Sequence, residues 1–569
     1  HYQREKLIAA AATNTEFVNI SPIRADLLDS VGGKWMALRP NTDTALLLGI
    51  AHTLHTEGLS DPTFLNQYTE GFNEFLPYLL GTSDGVSKSA AWAAQICDLK
   101  EDEILSLARR MAHKRTMISV SWSLTRQDHG EQAFWAAITV AAMLGQIGLP
   151  GGGFGFGYSA MNYIGGDFTI LPYSALPQGK NPINDFIPVA RITDLLTRPG
   201  ETVEFDGQTL TYPEIKMMYW AGGNPFHHHQ DLGRLMEAWK KPDTVIVHEW
   251  CWNSLAKRGD IVLPCTTPLE RQDIAMTPRD PYIVSMSQLT KPFAQSRNDY
   301  DIFAGIASDL GILEAFTGGR SDAEWQRTIY EESRQSAAEM GHNLPEYERF
   351  LEKGWYKIDD PSEPIIMLKE FRDDPVKNAL GTPSGKIEIF SQAVSDFGYD
   401  DCPGHTVWRE PYEWLGSDDQ PHPFHLISNQ PSAKLHSQID HGSVSRASKV
   451  NGREALNIHP IDAEALGLID GTLVRVYNDR GACLGTTVID PAMRRNVVQM
   501  STGSWFDPLD PADPYSLCKH GNPNVLTKDK GTSRLGQGPS AHTCMVSIEP
   551  FVGEAPKVTA HEPPEIIRN

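Results

Sequence analysis

The chain has 569 residues, a formal net charge of −22, 40% hydrophobic residues and 21% charged residues. That length exceeds what one hydrophobic core supports, so several domains are expected. The negative charge disfavours nucleic acid as a partner, because its phosphates would be repelled. No apolar run reaches the ~18 residues that a membrane-spanning helix needs. Seven cysteines stand singly without a CxxC pair, which disfavours a zinc ribbon, a cysteine-ligated cluster and a disulfide framework.

The first residues indicate a protein whose natural beginning lies upstream. His1 is not an initiator Met, and the opening HYQREKLIAAAATNTEFVNI lacks the apolar region of a signal peptide. This segment is predicted to be part of a helix that runs into a strand. Dispersed thiols favour the cytoplasm, and the periplasm stays open because an export signal would be missing with the upstream segment.

The first third of the chain alternates helices with short apolar strands. Strands are predicted at 17–20 and 116–122, and helices at 44–56, 101–113 and 131–144. The order strand, helix, strand indicates an α/β fold with parallel strands. The run PGGGFGFG breaks this pattern and begins an irregular stretch that extends to about residue 200.

A second α/β block begins near Lys216. MMYWAGG, TVIVHEW and DIVLPCT are predicted strands, residues 231–239 a helix, and residues 317–415 helices and loops that close the block. Beyond residue 424 the short segments FHLISN, TLVRVYND, ACLGTTVI and NVVQMST are separated by turns, which predicts a small β-barrel. The tail after Val552 is predicted to be loosely ordered.

The fold class is therefore α/β, with two doubly wound parallel-sheet (Rossmann-like) domains and a C-terminal β-barrel domain. The expected division is 1–205, 206–415 and 416–569.

Two strand ends carry groups that could bind a ligand. Gly223 and Asn224 lie between a strand and a helix, where backbone amides can approach a phosphate, although a plain turn is an equal alternative. The three histidines that follow point in different directions, which favours hydrogen bonding to an anionic ligand over a shared metal ion. Trp122, Ser123 and Arg126 suit a planar phosphorylated ligand, or equally a core tryptophan beside a solvated arginine. Asp260 is either a functional carboxylate or a turn cap.

A polar loop follows the first predicted barrel strand, FHLISN. His436, Ser437, Gln438 and His441 place donors and acceptors close together. Adjacent residues seldom form a nucleophile–base pair, and no GxSxG elbow occurs, so a binding loop is favoured over a hydrolase site.

Taken together, these segments resemble one family, the bis(molybdopterin guanine dinucleotide) enzymes of the dimethyl sulfoxide reductase type. The matching blocks are PNTDTALLLGIAHTL, SWSLTRQDHGEQ, MLGQIGLPGGGFGFGY, WAGGNPFHHHQDL, HEWCWNSLAKRGDIVLPCTTPLERQDI, SNQPSAKLHSQIDHG, NDRGACLG and CKHGNPNVLTKDKGTSRLGQGPSAH. They follow the family order from residue 40 to residue 544. LHSQIDHG and HGNPNVLT resemble the biotin sulfoxide reductase branch more than the trimethylamine N-oxide enzymes.

The resemblance implies Mo-bis(molybdopterin guanine dinucleotide) as the cofactor. Asn41 and Asp43 would contact a guanine nucleotide, and Trp122 and Arg126 would lie near the pterin as the catalytic candidates. The other residues implied in cofactor binding are Ser123, Gly223, Asn224, His228, His248, Asp260, His436, Ser437, Gln438, His441, Asn522, Asn524 and Gln537. No metal ligand is expected in this chain, because the serine that binds molybdenum in relatives lies upstream of the matched blocks. That upstream segment is expected to be a missing part of the same protein, with a separate polypeptide as the alternative.

The implied reaction is the two-electron reduction of an S-oxide or N-oxide, with oxygen passing to Mo(IV) and electrons arriving from an external reductase or cytochrome. A formate dehydrogenase or nitrate reductase with the same cofactor is an alternative. A nicotinamide dehydrogenase is disfavoured, because no GxGxxG follows a strand with an acidic residue ~20 positions later.

Overall fold

The computed structural model describes residues 2–157, 164–277, 281–358 and 363–567, with side chains described from residue 4. The helices of the first region are Tyr2–Ala11, Asp43–Thr56, Pro62–Tyr68, Phe72–Leu79, Ala90–Cys97, Glu101–His113 and Gly130–Met143. Its strands are Val18–Ile20, Lys34–Met36, Thr69–Glu70, Met117–Val120 and Gly153–Phe156, and its short 3-10 helices are Arg24–Asp26 and Trp122–Arg126. Each predicted helix and strand of this region is confirmed, within one or two residues at most ends.

The helix Asp43–Thr56 lies at the centre of the first core. Leu46, Leu48, Ile50 and Leu54 are all at most 2% exposed, because this helix packs against four neighbouring helices. Gly49 permits the closest of these contacts, since a Cβ there would lie 2.6 Å from the Cβ of Ala93. A helix that is apolar around most of its surface is one that the fold surrounds.

The glycine run after residue 150 differs from its prediction as an irregular break. Gly153–Phe156 is a strand that pairs in parallel with Met117–Val120. The run contains both a turn and a strand: Gly151 adopts a φ of +68°, which suits the turn. A Cβ at Gly152 would lie 2.9 Å from the carbonyl oxygen of Gln146. The glycines therefore permit the close turn, and the two phenylalanines that follow extend normally.

The predicted strand 116–122 is shorter than expected. It ends at Val120, and Trp122–Arg126 forms a 3-10 helix instead. The hydroxyl of Ser121 accepts a hydrogen bond from the backbone N–H of Ser123 and caps this turn. The chain therefore turns just where Trp122 and Arg126 leave the sheet.

The second region holds the predicted three-stranded parallel sheet, in the order Ile261–Pro264, Thr244–Glu249, Met217–Ala221. Its helices are Ile192–Thr197, Pro225–His228, Leu232–Ala238, Asp299–Asp309, Leu313–Thr317, Asp322–Glu339, Tyr347–Lys353, Lys369–Asp373 and Gln392–Asp396, with 3-10 turns Val189–Arg191 and Ala256–Arg258. Its other strands are Thr202–Phe205, Gln208–Thr211, Asp273–Met276, Tyr282–Met286, Trp355–Lys357 and Ile387–Glu388. Two of these, Trp355–Lys357 and Ile387–Glu388, fall in the stretch predicted as helices and loops.

Part of the chain returns to the first core after the second region. Ile387–Glu388 pairs in parallel with Thr69–Glu70, and Ile389 is fully buried in the first core. The expected boundary at residue 205 lies inside the hairpin formed by Thr202–Phe205 and Gln208–Thr211. The three-part division of the chain stays a prediction.

The C-terminal region contains the predicted β-barrel, which is closed and has six strands. In spatial order they are Phe424–Ile427, Val497–Met500, Ala455–Ile458, Gly481–Ile489, Leu473–Asn478 and Met545–Pro550. The region also has the helices Ser443–Ala447 and Pro460–Ala465 and the 3-10 turn Pro523–Val525. Side chains fill a barrel of this size, so its loops rather than its interior are available to a ligand.

The tail after Val552 is bound to the surface, which corrects its prediction as loosely ordered. The backbone N–H and hydroxyl of Thr559 each donate to the Asp507 carboxylate at 2.7 Å. Lys257 Nζ donates to the carbonyl of Ala560 at 2.8 Å, and Ala560 is 2% exposed. Acidic composition indicated disorder, but the backbone of the tail supplies the contacts.

Two expectations from composition can be compared with the fold. All seven cysteines are free thiols. Within the described ranges, no helix combines the length and apolar character needed to cross a membrane.

Candidate cofactor site

The junction after the strand Met217–Ala221 is open to a ligand. Gly222 and Gly223 adopt φ angles of +83° and +85°, and Asn224 begins the four-residue helix Pro225–His228. A Cβ at Gly222 would meet nothing within 4 Å, whereas one at Gly223 would lie 3.3 Å from Trp220 Nε1. The predicted strand–turn–helix order is confirmed, and the backbone at Gly222 faces free space.

Asn224 connects this junction to the barrel loop. Its Nδ2 donates to Ser437 Oγ at 3.3 Å, and the residue is 4% exposed. Its Oδ1 is buried and has no hydrogen-bond partner among the described residues. A buried polar group without a partner costs about 1–3 kcal/mol. The orphaned acceptor therefore fits a ligand that brings its own N–H or O–H donor.

The loop that carries Ser437 is held in a fixed conformation. His436 adopts a φ of +52°, and its ring lies 5.5 Å from that of His227. The carbonyl of Ser437 accepts a hydrogen bond from Trp505 Nε1 at 2.8 Å. Gly503 passes so close to this loop that a Cβ would lie 2.0 Å from the carbonyl oxygen of His436. Two of the predicted loop residues thus face the junction at Asn224.

Arg126 brings the first region to the same place. Burial lowers the pKa of His436, and the positive charge of Arg126 lowers it further. Burial likewise lowers the pKa of His542 to about 4, again with a contribution from Arg126. In the part of the chain that the structure describes, the guanidinium of Arg126 makes no hydrogen bond or ion pair. Arg126 is therefore an exposed, unpaired cation whose charge acts on His436, and the neighbouring Trp122 is also exposed.

Asn41 joins the first region to the barrel. Its Nδ2 donates to Gln127 Oε1 at 2.7 Å and to the His542 carbonyl at 3.2 Å, and its Oδ1 accepts from Thr543 Oγ1 at 2.7 Å. Burial raises the pKa of the neighbouring Asp43 to about 6, although a hydrogen bond from Gln127 opposes the shift. All the polar atoms of Asn41 are used inside the protein, so its predicted contact with a guanine nucleotide stays a prediction.

Asn522 and Asn524 join the barrel to the helix Pro225–His228. Asn522 Nδ2 donates to the carbonyls of Phe226 at 2.8 Å and Ser504 at 3.0 Å. Asn524 Nδ2 donates to the carbonyl of His227. These two amides therefore hold the walls of the site together.

Gln537 joins the C-terminal region to the hairpin strand Thr202–Phe205, because its Nε2 donates to the carbonyl of Glu204 at 2.7 Å. Ser123 and Gln438 are exposed. The hydroxyl of Ser123 lies 2.7 Å from that of Ser121, and the backbone N–H of Gln438 donates to the carbonyl of Leu435. The structure thus leaves the side chain of Gln438 accessible.

The imidazole rings of two further candidates, His228 and His441, pack against tryptophan rings. His228 is exposed, and its ring stacks on Trp220 at 6.2 Å. His441 lies between Trp250 at 5.4 Å and Trp505 at 5.2 Å. His441 Nδ1 is buried and has no hydrogen-bond partner among the described residues, so a second orphaned polar atom lies on the barrel side.

His248 lies at the carboxyl edge of the three-stranded sheet, opposite Ala221 in the strand register. Both ring nitrogens are occupied: Nε2 lies 2.7 Å from the Tyr219 hydroxyl and Nδ1 lies 2.7 Å from Asp299 Oδ1. His248 is 2% exposed and its ring stacks on Phe303 at 4.9 Å, so its role in binding the cofactor stays a prediction.

The grouping of Asp260 with Asn224 needs correction. Asp260 precedes the strand Ile261–Pro264, at the amino edge of the sheet, whereas Asn224 follows the carboxyl edge. Its Oδ2 accepts a hydrogen bond from the backbone N–H of Val245 at 2.7 Å. Asp260 therefore caps the start of two strands, which was the alternative interpretation of this residue.

A buried charge cluster beside the loop was missed. Asp440 is fully buried, and Lys434 Nζ and Lys449 Nζ each lie 3.1 Å from its Oδ1. Asp440, His520 and His561 have the geometry of a metal site, with ligand atoms within 4.8 Å of one another. Two ammonium groups already neutralise the carboxylate, which disfavours a cation there. The signal in the sequence was the Asp between Gln438 and His441, whose burial no local pattern indicates.

Three regions of the chain thus meet in one polar site, which is bounded by a strand–turn–helix junction, a 3-10 turn and barrel loops. This arrangement is that of a mixed α/β protein with a C-terminal barrel whose polar loops meet the strand ends of the α/β part. Two family models match the chain: "Molybdopterin oxidoreductase" over residues 4–309 and "Molydopterin dinucleotide binding domain" over residues 424–545.

Curated relatives agree with the family models over almost the whole chain. A biotin sulfoxide reductase of Cereibacter sphaeroides is 44% identical over 556 residues, which cover 98% of this chain and 74% of that protein. A dimethyl sulfoxide/trimethylamine N-oxide reductase of the same organism is 41% identical, with 97% and 69% covered. A trimethylamine-N-oxide reductase of Haemophilus influenzae is also 41% identical, with 97% and 69% covered. The chain belongs to the molybdopterin oxidoreductase family.

A solved structure supports the fold. Acetylene hydratase from Pelobacter acetylenicus superposes with a TM-score of 0.70 over 96% of this chain and 76% of that chain, at 17% identity. At that identity the similarity concerns the architecture alone. The α/β class with a C-terminal barrel is confirmed.

The residues present fit the cofactor of this family, Mo-bis(molybdopterin guanine dinucleotide). The orphaned acceptor of Asn224 and the orphaned Nδ1 of His441 can bond polar atoms of a pterin or nucleotide. Arg126 offers an uncompensated positive charge to an anionic group, and Gly222 leaves room beside the backbone. Asn224, Ser437 and His441 would hold the cofactor from the two facing walls.

Buried histidines next to the site predict a pH dependence of stability. Burial lowers the pKa of His227 and of His229 to about 3, whereas an unfolded histidine titrates near pH ~6.5. Because the folded pKa is depressed, the stability that these neutral rings contribute is present above pH ~6.5 and is lost as pH falls toward 3. Each histidine contributes a slope of about 1.4 kcal/mol per pH unit inside that window.

We therefore expect His229→Gln to reduce the dependence of the unfolding free energy on pH by about one bound proton between pH ~6 and ~4. Urea unfolding at a series of pH values measures this slope. His113→Gln, at an exposed position, is the matched control and should leave the slope unchanged. An unaltered slope in His229→Gln would show that this ring is not held neutral.

Proposed function

We propose that the protein is a molybdenum-dependent reductase of S-oxides or N-oxides. The observation that carries the proposal is the convergence of Arg126, Asn224 and the His436–Ser437 loop in a family whose similar members are named sulfoxide and N-oxide reductases. When bound, the cofactor supplies two-electron oxygen-atom transfer. The chain itself contributes binding, orientation and charge.

Arg126 and Trp122 are the residues that suit the substrate. The S–O or N–O bond of an oxide is polarised, with negative charge on oxygen, so a guanidinium can bind it. The ring of Trp122, which is 40% exposed, offers apolar surface to the organic part. Both belong to the 3-10 turn Trp122–Arg126, and this common turn holds them at a fixed relative position.

We infer that electrons come from a separate protein, either a reductase or a cytochrome. All seven cysteines are free thiols, and within the described ranges the His/Cys/Asp/Glu group with metal-site geometry contains no cysteine. A cysteine-ligated iron–sulfur relay inside these ranges would need clustered thiolates.

The test is purification from a host that makes molybdopterin guanine dinucleotide, followed by molybdenum analysis and an assay with a reduced viologen dye. We expect bound molybdenum and dye oxidation that depends on biotin sulfoxide, dimethyl sulfoxide or trimethylamine N-oxide. Protein from a host unable to make molybdopterin is the control and should be inactive. Absence of molybdenum would contradict the proposal, and molybdenum with formate-dependent but not oxide-dependent turnover would favour a formate dehydrogenase.

A further inference from the structure

The loop of residues 434–442, which we call the barrel loop, contains a buried carboxylate that bonds to several parts of the barrel. Asp440 is 0% exposed. Its Oδ2 accepts from the backbone N–H of Trp505 at 3.2 Å, and its Oδ1 accepts from Ser445 Oγ at 3.2 Å. Asp440 thus connects the barrel loop to the segment that follows it and to a second loop of the barrel.

Two buried lysines compensate this carboxylate. Lys434 Nζ and Lys449 Nζ each lie 3.1 Å from Asp440 Oδ1, and they lie 3.4 Å and 2.8 Å from Glu454 Oε2. The lysine side chains are 1% and 2% exposed. Lys434 opens the barrel loop, whereas Lys449 follows it. Asp440 and Glu454, which share the two lysines, therefore hold both ends of the segment that carries His436, Ser437 and His441, and only Asp440 belongs to that segment.

The C-terminal tail closes this cluster from outside. His561 Nε2 donates to Asp440 Oδ2 at 3.1 Å. Its ring packs edge-on against Trp505, with centroids 5.3 Å apart, and Trp505 in turn contacts the ring of His441. Thr559, bonded to Asp507, anchors the tail two residues earlier. The tail therefore reaches the residue that holds the barrel loop.

We propose that Asp440 is a positioning residue for the cofactor-facing side of the barrel loop, and that the C-terminal tail completes its surroundings through His561. The proposal rests on the proposed function, since it is the cofactor that the barrel loop binds. Ser437 and His441 can meet a ligand in a fixed geometry because Asp440 removes the freedom of the backbone between them. Neither Asp440 nor His561 needs to touch the cofactor.

The test compares how fast holoenzyme variants lose the cofactor. Asp440→Asn keeps the shape and removes the charge, and His561→Leu removes the donor from the tail. We expect both to release molybdenum and pterin about tenfold faster during dilution and gel filtration, the usual size of a loss in outer-shell support. His561→Gln should restore slow release, because its amide nitrogen can donate in place of Nε2. Glu549→Gln, which breaks an exposed pair with Arg475 on the same barrel, should behave like the unsubstituted protein.

The outcomes separate this inference from the proposed function. If the unsubstituted protein holds no molybdenum, the proposed function fails. If it holds molybdenum and His561→Leu releases it at the unsubstituted rate, only the positioning role fails. If Asp440→Asn does not fold, the pair His561→Leu and His561→Gln carries the test alone. Equal release from these two variants, or a lowered melting temperature with unchanged release, would show a merely structural contact.

Discussion

Replacing Asp529 with asparagine is expected to lower the free energy of unfolding by about 3–5 kcal/mol, the cost of removing one partner from a buried ion pair. Asp529 Oδ1 accepts from Arg191 Nη2 at 2.9 Å, and Oδ2 accepts from Arg234 Nη1 at 3.3 Å. The side chains of Arg191 and Asp529 are 4% and 1% exposed. The substitution would leave two guanidinium groups with Asp194 as their remaining carboxylate partner.

The size of this effect follows from the position of the cluster. Arg191 precedes the helix Ile192–Thr197, and Arg234 belongs to the helix Leu232–Ala238. Asp529 lies between the 3-10 turn Pro523–Val525 and the last barrel strand, Met545–Pro550. The ion pairs thus connect the barrel to the second region, where the Arg191 side chain is buried at 4% exposure and the Arg234 side chain is 35% exposed. Asp194 lessens the loss, which places the expected value near the lower end of the range.

Urea unfolding of the purified variant measures the prediction. Glu549→Gln again provides the control, because its exposed pair with Arg475 should contribute at most about 1 kcal/mol. A loss as small for Asp529→Asn as for the control would mean that water reaches the cluster and screens it.

The elements that follow from the sequence are those with strong local signals. The helix Glu101–His113 begins with three acidic residues, ends with basic ones and has a single apolar face. Its predicted bounds are the observed ones, since its charges complement the helix dipole. The strand Leu473–Asn478 alternates half-buried and buried residues, and the turn Asp479–Arg480 follows it at once. Period and turn residues determine such elements locally.

The missed elements depend on contacts far along the chain. Ala455–Ile458 is a four-residue strand whose neighbours are Gly481–Ile489 and Val497–Met500. Nothing in its own four residues distinguishes it from a loop. Ile387–Glu388 is a strand only because it meets Thr69–Glu70, more than three hundred positions earlier. Tertiary pairing, not propensity, decides these segments.

The residues of the candidate site also divide into those that the local sequence predicts and those that depend on distant contacts. Gly223 and Asn224 were predictable because a strand end and a helix start flank them. The internal partners of Asn41 were not, since His542 and Thr543 lie about five hundred positions away in sequence. The position of Asp260 could have been corrected from the sequence alone: in a parallel sheet, a residue that opens a strand lies at the edge opposite to residues that end one.

Replacing Arg126 with alanine is expected to reduce kcat/KM for a sulfoxide or N-oxide by about a hundredfold, as removal of a positioned electrostatic donor does in other enzymes. In the part of the chain that the structure describes, this guanidinium has no hydrogen-bonded or ion-paired partner. Its positive charge contributes to lowering the pKa of His436. Such a cation at the meeting point of three regions is available to bind an oxygen that carries negative charge.

Steady-state assays with a reduced viologen dye test this, with molybdenum content measured on the same preparations. Arg126→Lys should recover part of the activity, because the charge returns without the planar pair of donors. Arg327→Ala, which removes an arginine paired with Glu348 on the surface, is the matched control. Normal molybdenum with reduced kcat/KM in Arg126→Ala places the residue at the substrate. Proportional loss of molybdenum and activity would instead show that Arg126 binds the cofactor. Unchanged activity with full molybdenum would exclude both roles, since an unpaired charge at this position should act on any anion that the site binds.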